Sequence, residues 1–339
     1  MKPRFRLLLS AFVLWTLTAC GNRISQTNTS VPIADIAAPS AAPSGSSLRG
    51  VFEGITPCSG QTRPLPQIPA DTNCEQMIWK FTLYEDSTTG DPTTYTLNSA
   101  YGVPQQGTPG LVAGGTPIAM EGNWDIVKGT KLDPDAVVYQ LYSYGTQPAV
   151  SFLQMSEDLL HILNGDQTLM VGNASWSYSL NRTDNRVYTH VNEQSDPSDR
   201  ATRPPIPSMP AGSSVLGVFE GRLPCHEIMF ELLKIAPYPG CAKMKSRLTL
   251  YQDQATGAPS TYLMMGTSTI REGTWTILQG TKNDPDAVIY QLQLDNGQGP
   301  VSFLLADENH LFLLDRDQNL LVGNALFSYT LSRTDIGVQ

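Results

Sequence analysis

The side chains of this 339-residue chain that could do chemistry are few: five cysteines, four histidines and ten methionines. Four of the cysteines form two pairs, Cys58 with Cys74 and Cys225 with Cys241, each 16 positions apart. As thiolates such pairs could bind a soft metal or cycle redox equivalents; in an oxidising compartment they close as disulfides. The even count and the equal spacing favour disulfides. Two cysteines without a neighbouring histidine make a poor closed metal site, and only His226, beside Cys225, departs from that pattern. Cys225, His226 and Cys241 are therefore the candidate metal ligands, with structural disulfides as the favoured alternative. Met77, Met244, Met264 and Met265 are soft enough for Cu(I). They lack a tight Met-x-x-Met spacing near a histidine, so filling of a core is their expected role.

Other chemistries find little support. The turn Asp315-x-Asp317-x-Asn319 has the start of a calcium loop but lacks its glycine and distal glutamate, and reads as a hairpin turn. There is no nucleophile elbow, no His-Glu-x-x-His pair and no phosphate loop. His161, His190, His226 and His310 fall at unrelated places in an internal repeat described below. No catalytic residue is assigned and no enzyme activity is expected. With 22 basic against 31 acidic residues the net charge is −9, which argues against nucleic acid as a partner.

The N-terminus is an address. Lys2, Arg4 and Arg6 precede an apolar stretch from Leu7 to Trp15, and Leu17-Thr18-Ala19-Cys20 follows. This is a bacterial secretion signal ending in a lipobox, which predicts cleavage after residue 19 and acylation of Cys20. Loss of the signal takes the net charge from −9 to −12. Gly21 follows where an aspartate would favour inner-membrane retention, so an outer-membrane anchor through lipidated Cys20 is expected. Residues 20–48, rich in Ser, Thr, Ala and Pro, read as a flexible tether.

Beyond the tether the chain repeats itself. Gly50-Val51-Phe52-Glu53-Gly54, Pro57-Cys58, Thr82-Leu83-Tyr84 and Thr94-Tyr95 recur 167 residues later. Glu121-Gly122, Trp124, Asp133 to Val137, Val171 to Ala174 and Arg182-Thr183-Asp184 recur 151 residues later. The difference is an extra Gly/Pro-rich loop around Gly102 to Pro117 in copy 1. Copy 1 is assigned to 49–184, a Pro/Ser-rich linker to 185–215 and copy 2 to 216–335. Each copy is long enough to close its own core, and the two are expected to unfold separately.

Within each copy, short alternating segments are separated by turn clusters. Copy 2 shows strands near 217–221, 246–251, 260–264, 273–277, 288–292, 301–305, 310–314 and 327–331, which predicts an all-β antiparallel sandwich or barrel. First and last strands of this kind could pair and close an up-and-down barrel. Glu227 to Ile235 has helical spacing, whereas the matching Ser59 to Thr72 is too rich in proline for a helix.

The order Gly217-Val218-Phe219-Glu220-Gly221-Arg222-Leu223-Pro224-Cys225, Leu250-Tyr251-x-Asp253, Thr261-Tyr262, Glu272-Gly273-Thr274-Trp275, Leu313-Leu314-Asp315-x-Asp317 and Tyr329-Thr330-Leu331-Ser332-Arg333 resembles the N-terminal domain of the NlpE copper-resistance lipoproteins. The resemblance covers both copies. It implies two tandem lipocalin-like antiparallel β-barrels, an outer-membrane lipid anchor, and a role in copper homeostasis or in signalling envelope stress and surface contact, with signalling or surface proteins as partners. The family's compact Cys-x-x-Cys is opened here by an insertion, and a second barrel stands where family members carry a different domain. A carrier of a small apolar ligand and a docking lipoprotein are the competing readings.

Overall fold

In the computed structural model, residues 42–336 are described apart from 60–62, 144–147, 186–205, 226–240, 267–268, 283 and 295–298. Cys20 and most of the tether, His190, His226 and the helix-patterned 227–235 lie outside the described residues. The remainder is all-β, with a single 3-10 turn at Val112–Gly114 among the described residues.

Copy 1 supplies β1 (Ser46–Pro57), β2 (Gln76–Asp86), β3 (Pro92–Gly102), β4 (Thr116–Lys128), β5 (Val137–Tyr142), β6 (Val150–Ser156), β7 (Leu159–Leu163) and β8 (Ser179–Arg182). Copy 2 repeats them as β9 (Ser213–Pro224), β10 (Lys243–Asp253), β11 (Pro259–Met265), β12 (Ile270–Gln279), β13 (Val288–Gln293), β14 (Pro300–Asp307), β15 (His310–Leu313) and β16 (Thr330–Arg333). Each set closes into an antiparallel up-and-down barrel by pairing its first and last strands, Phe52 with Arg182 and Phe219 with Arg333. The first strand of each barrel begins a few residues ahead of the boundary read from the repeat, and the last strand of copy 2 lies slightly later than 327–331.

The recurrent motifs now have physical reasons. In Gly-Val-Phe-Glu-Gly the second glycine lets the closing strand come close: a Cβ on Gly54 would stand 2.6 Å from the Leu180 side chain, and one on Gly221 2.6 Å from the Thr330 carbonyl. The Arg-Thr-Asp ending latches the barrel. Val51 N–H donates to the Asp184 carboxylate at 2.8 Å, Arg182 pairs with the same group at 3.0 Å, and the Thr183 hydroxyl donates to Glu53. Arg333, Thr334, Asp335 and Glu220 repeat the arrangement. Trp124 and Trp275 each donate from Nε1 to a backbone carbonyl, of Tyr84 and Tyr251, and lean on Tyr139 and Tyr290.

Inward positions alternate along every strand, as the pleat demands. Barrel 1 is filled with aromatic rings: Phe81 stacks on Phe52 and Phe152 at 5.4 and 5.0 Å, and Trp79 meets Phe152 edge-on. Barrel 2 has its own core around Phe219, Leu248, Leu250, Tyr262, Trp275 and Phe303.

Candidate functional site

The cysteines leave β1 and β9 at the same barrel end and return at β2 and β10. Both pairs are closed as disulfides, Cys58–Cys74 and Cys225–Cys241, with Cα separations of 5.2 and 5.6 Å. In copy 1 the bridged loop is a plug: Leu65 and Ile68 are buried in the barrel core. Arg63 ties it together by donating to the carbonyls of Cys58, Ala70, Thr72 and Cys74. As disulfides, Cys225 and Cys241 offer no thiolate to a metal. Met77 and Met264 face the two barrel cores, Met244 packs against that of barrel 2, and Met265 joins an outer cluster with Tyr251 and Leu263. Among the described residues no three His, Cys, Asp or Glu side chains gather where they could hold a metal ion. The Asp315 carboxylate accepts from the backbone N–H groups of Asp317 and Asn319, which makes that segment a self-capped hairpin turn.

Two histidines that share no place in the repeat meet in space. Leu160 and Ile162 of β7 point into barrel 1, so Leu159, His161 and Leu163 point out; on β15, Leu311 and Leu313 point in and His310 and Phe312 point out. An outward residue of a lone barrel meets water, yet all five are buried, because the outer faces of β7–β8 and β15–β16 are pressed together. Residues 151 apart touch each other across this joint. The Trp176 and Phe327 rings stack at 5.5 Å, the Ser177 and Ser328 hydroxyls bond at 2.6 Å, and those of Ser179 and Thr330 at 2.9 Å. Equivalent residues in contact lie on a two-fold axis, so the two copies are related as the halves of an isologous dimer. Arg222 and Lys243 sit over the outer faces of the Trp176–Phe327 stack. The loop peculiar to copy 1 ends beside it, with Leu111 buried on Ile55 and Ile78 and Leu326 of barrel 2 packed against the same cluster.

The centre of the joint is polar and departs from the symmetry. His161 and His310 lie 4.8 Å apart and both bond through Nε2, at 3.0 Å, to the Met170 carbonyl, whose two lone pairs they share. His161 Nδ1 bonds the Ser179 hydroxyl at 3.0 Å, and that hydroxyl bonds Thr330 at 2.9 Å. Burial, with the adjacent His310, pushes His161 down to about 3, so the ring is neutral, its Nε2 carries the hydrogen toward the Met170 carbonyl and its Nδ1 accepts from the Ser179 hydroxyl. His310 differs: Nδ1 faces the Asp307 carboxylate at 2.7 Å and Nε2 faces the Met170 carbonyl at 3.0 Å. Burial works to raise the Asp307 carboxyl, but the bond and charge of His310 outweigh it and hold the group below its ordinary range. Asn181 completes the joint by accepting from Gly323 N–H at 2.7 Å and donating to the Asn324 carbonyl at 3.0 Å.

The joint changes the expectation of separate unfolding. Severing the copies would expose Leu159, Leu163 and Phe312 and strip partners from His161 and Asn181, so coupled unfolding of the pair is expected instead.

Fold and geometry define a protein of two closed eight-stranded barrels, each carrying one disulfide, clasped through a buried pseudo-two-fold joint. No family profile, curated protein or solved structure matches the chain.

Proposed function

We propose that this chain is a non-catalytic bacterial envelope lipoprotein of the NlpE kind, held at the outer membrane by acylated Cys20, and that it senses envelope or surface conditions by docking partners on its outer surface. The observation that carries the reading is the pair of disulfides at corresponding barrel ends. Bridges of this kind persist in an oxidising envelope, which agrees with the secretion signal, and they leave the repeated cysteines structural. The plugged, ring-filled core of barrel 1 and the clasp between the barrels fit a preformed body on a tether, which meets partners with little rearrangement. A link to copper homeostasis then runs through signalling or through the methionines rather than through thiolates of Cys225 and Cys241.

The test is overproduction of the chain and of Cys20→Ala in a bacterium carrying an envelope-stress reporter, with membrane fractionation and copper tolerance measured alongside. The expected result is a membrane-bound native protein that shifts the reporter, and a Cys20→Ala form that is unprocessed or released and has lost the effect. A native protein that fractionates away from membranes, or one that leaves both reporter and copper tolerance unchanged, overturns the reading.

A further inference from the structure

Most of the large apolar side chains left exposed among the described residues share one end of the molecule. Leu48 and Val215 open β1 and β9, Ile126 with Ile277 and Leu278 close β4 and β12, and Leu132 tops the turn between β4 and β5. This is the end of each barrel opposite the disulfides, because β1 and β9 run from it toward Cys58 and Cys225 while β4 and β12 run back. Val112 stands at the disulfide-bearing end. The feature recurs in the two copies. Leu48 and Val215 are equivalents 167 positions apart, and Ile126 and Ile277 are equivalents 151 apart. Ile126 and Ile277 keep the inward parity of Trp124 and Trp275 but lie beyond them at the lip, 41% and 47% exposed. A single exposed apolar residue is ordinary, whereas apolar residues set at the same end of both copies mark a contact surface.

The joint sets the two lips side by side. Ser177 meets Ser328 and Ser179 meets Thr330, so two successive outward positions each touch their own equivalents. A two-fold axis crossing the strands would allow this at one position alone. The axis therefore runs along β8 and β16, and the barrels point the same way to within the strand tilt. The lips form one broad face. Its apolar side chains stand apart rather than gathering in a groove, since β1 and β4 are not neighbours in the barrel. Such a spread fits a plane. The chain enters β1 at this end, and Cys20 lies 22 positions before Ala42, so an acyl anchor there draws this face toward the bilayer. The turns of the face carry exposed Asp133, Asp135, Asp284 and Asp286 against Lys131 and Lys282, a balance that disfavours an anionic surface and suits zwitterionic headgroups.

We infer that this face of the two barrels seats on a zwitterionic phospholipid surface, with Leu48, Ile126, Leu132, Val215, Ile277 and Leu278 entering the headgroup layer and the disulfide-bearing ends pointing away from the membrane. The inference deepens the lipoprotein reading and rests on it for the anchor that brings the face to the bilayer.

The test uses the full chain purified from membranes and placed on vesicles of phosphatidylcholine and phosphatidylethanolamine. An environment-sensitive NBD label is attached to a cysteine introduced by Leu132→Cys, by Leu278→Cys or, at the opposite end, by Val112→Cys, with the native chain as blank. All three side chains are exposed, so the fold is expected to hold, and thermal melts check it. Labels at positions 132 and 278 are expected to emit further to the blue than the label at position 112 and to be quenched by spin-labelled lipid, while the label at 112 is not quenched. Raising the share of phosphatidylglycerol is expected to weaken that quenching. Equal quenching at all three positions, or none at 132 and 278, overturns the inference, as does quenching that grows with phosphatidylglycerol. A blue shift that follows protein concentration without lipid assigns the face to a second copy of the chain and also overturns it. The mass of the N-terminal peptide decides the anchor separately. An acylated, vesicle-bound protein whose labels stay in water keeps the anchor and overturns the inference; an unacylated protein whose labels at 132 and 278 are still quenched keeps the inference and overturns the anchor.

Discussion

The buried histidine pair makes the joint sensitive to acid in a way that can be worked out in advance. His161 has an ordinary value of 6.5 and is pushed to about 3 in the folded protein. Between those values the unfolded chain takes up a proton that the folded chain refuses. Stability therefore falls as the pH drops through this window, and the loss is complete only below the folded value. At pH 5 one such group costs about 2 kcal/mol relative to neutral pH, since each pH unit below 6.5 removes about 1.4 kcal/mol. The Asp307 carboxyl, held low, adds its loss in the same direction at more acid pH. The titratable groups facing one another here are His161 on β7, His310 on β15 and Asp307 on β14. His161→Phe places in copy 1 the residue that copy 2 carries at the equivalent position, Phe312, and removes the titration while keeping an apolar ring. Urea unfolding of the full chain at pH 7 and pH 5 should show the native protein losing about 2 kcal/mol more than His161→Phe between the two. Equal losses in the two proteins would refute the reasoning.

Three further outcomes follow from the geometry. Reducing the two disulfides should lower stability by roughly 3 kcal/mol for each loop of this length, measured by denaturant midpoints, and Cu(I) binding should be weak until the sulfurs are reduced; tight stoichiometric binding to the oxidised chain would move any copper site to the methionines. Asn181→Ala should destabilise by about 2–4 kcal/mol, because it strands the buried Gly323 N–H and the Asn324 carbonyl across the joint; a change under about 0.5 kcal/mol in urea melts would show that the joint does not carry the folded pair. Gly54→Ala should cost at least about 2 kcal/mol by pushing β8 off β1, whereas Gly90→Ala, at an open turn with no atom within 4 Å, should cost only backbone strain of about 1 kcal/mol.

Most of the architecture is legible in the chain, and the part that is not has an identifiable cause. The duplicated motifs mark two units, the alternating segments mark the strands, and equal cysteine spacing marks both bridges. The first and last strands pair as their motifs suggest. The joint escapes a reading that takes each strand one face at a time. Leu159-Leu160-His161-Ile162-Leu163 is apolar on both faces, and every one of its residues is buried. In a barrel with one wet side, such an unbroken run signals a second buried face. Neither histidine recurs in the repeat, which hides both from a search for shared chemistry, yet each lies on that second face, and there the lack of recurrence is what allows them to meet.

The clasp also bears on what duplication achieves. When two identical protomers pair across a two-fold, every substitution appears twice, and a side chain on the axis must tolerate its own image. Joining the halves in one chain lifts that constraint. His161 sits where the other half has Phe312, His310 where it has Leu159, and Asn181 where it has Ser332. One half supplies the carbonyl of Met170 to both rings, and the other supplies the carboxylate of Asp307. Pairing of barrel 1 with another barrel 1 would leave the His310–Asp307 pair absent, whereas Asn181 would meet Gly172 and Asn173, the equivalents of its present partners. The clasp therefore carries its own identity code: each half finds in its sibling the histidine contacts that a replica of itself lacks.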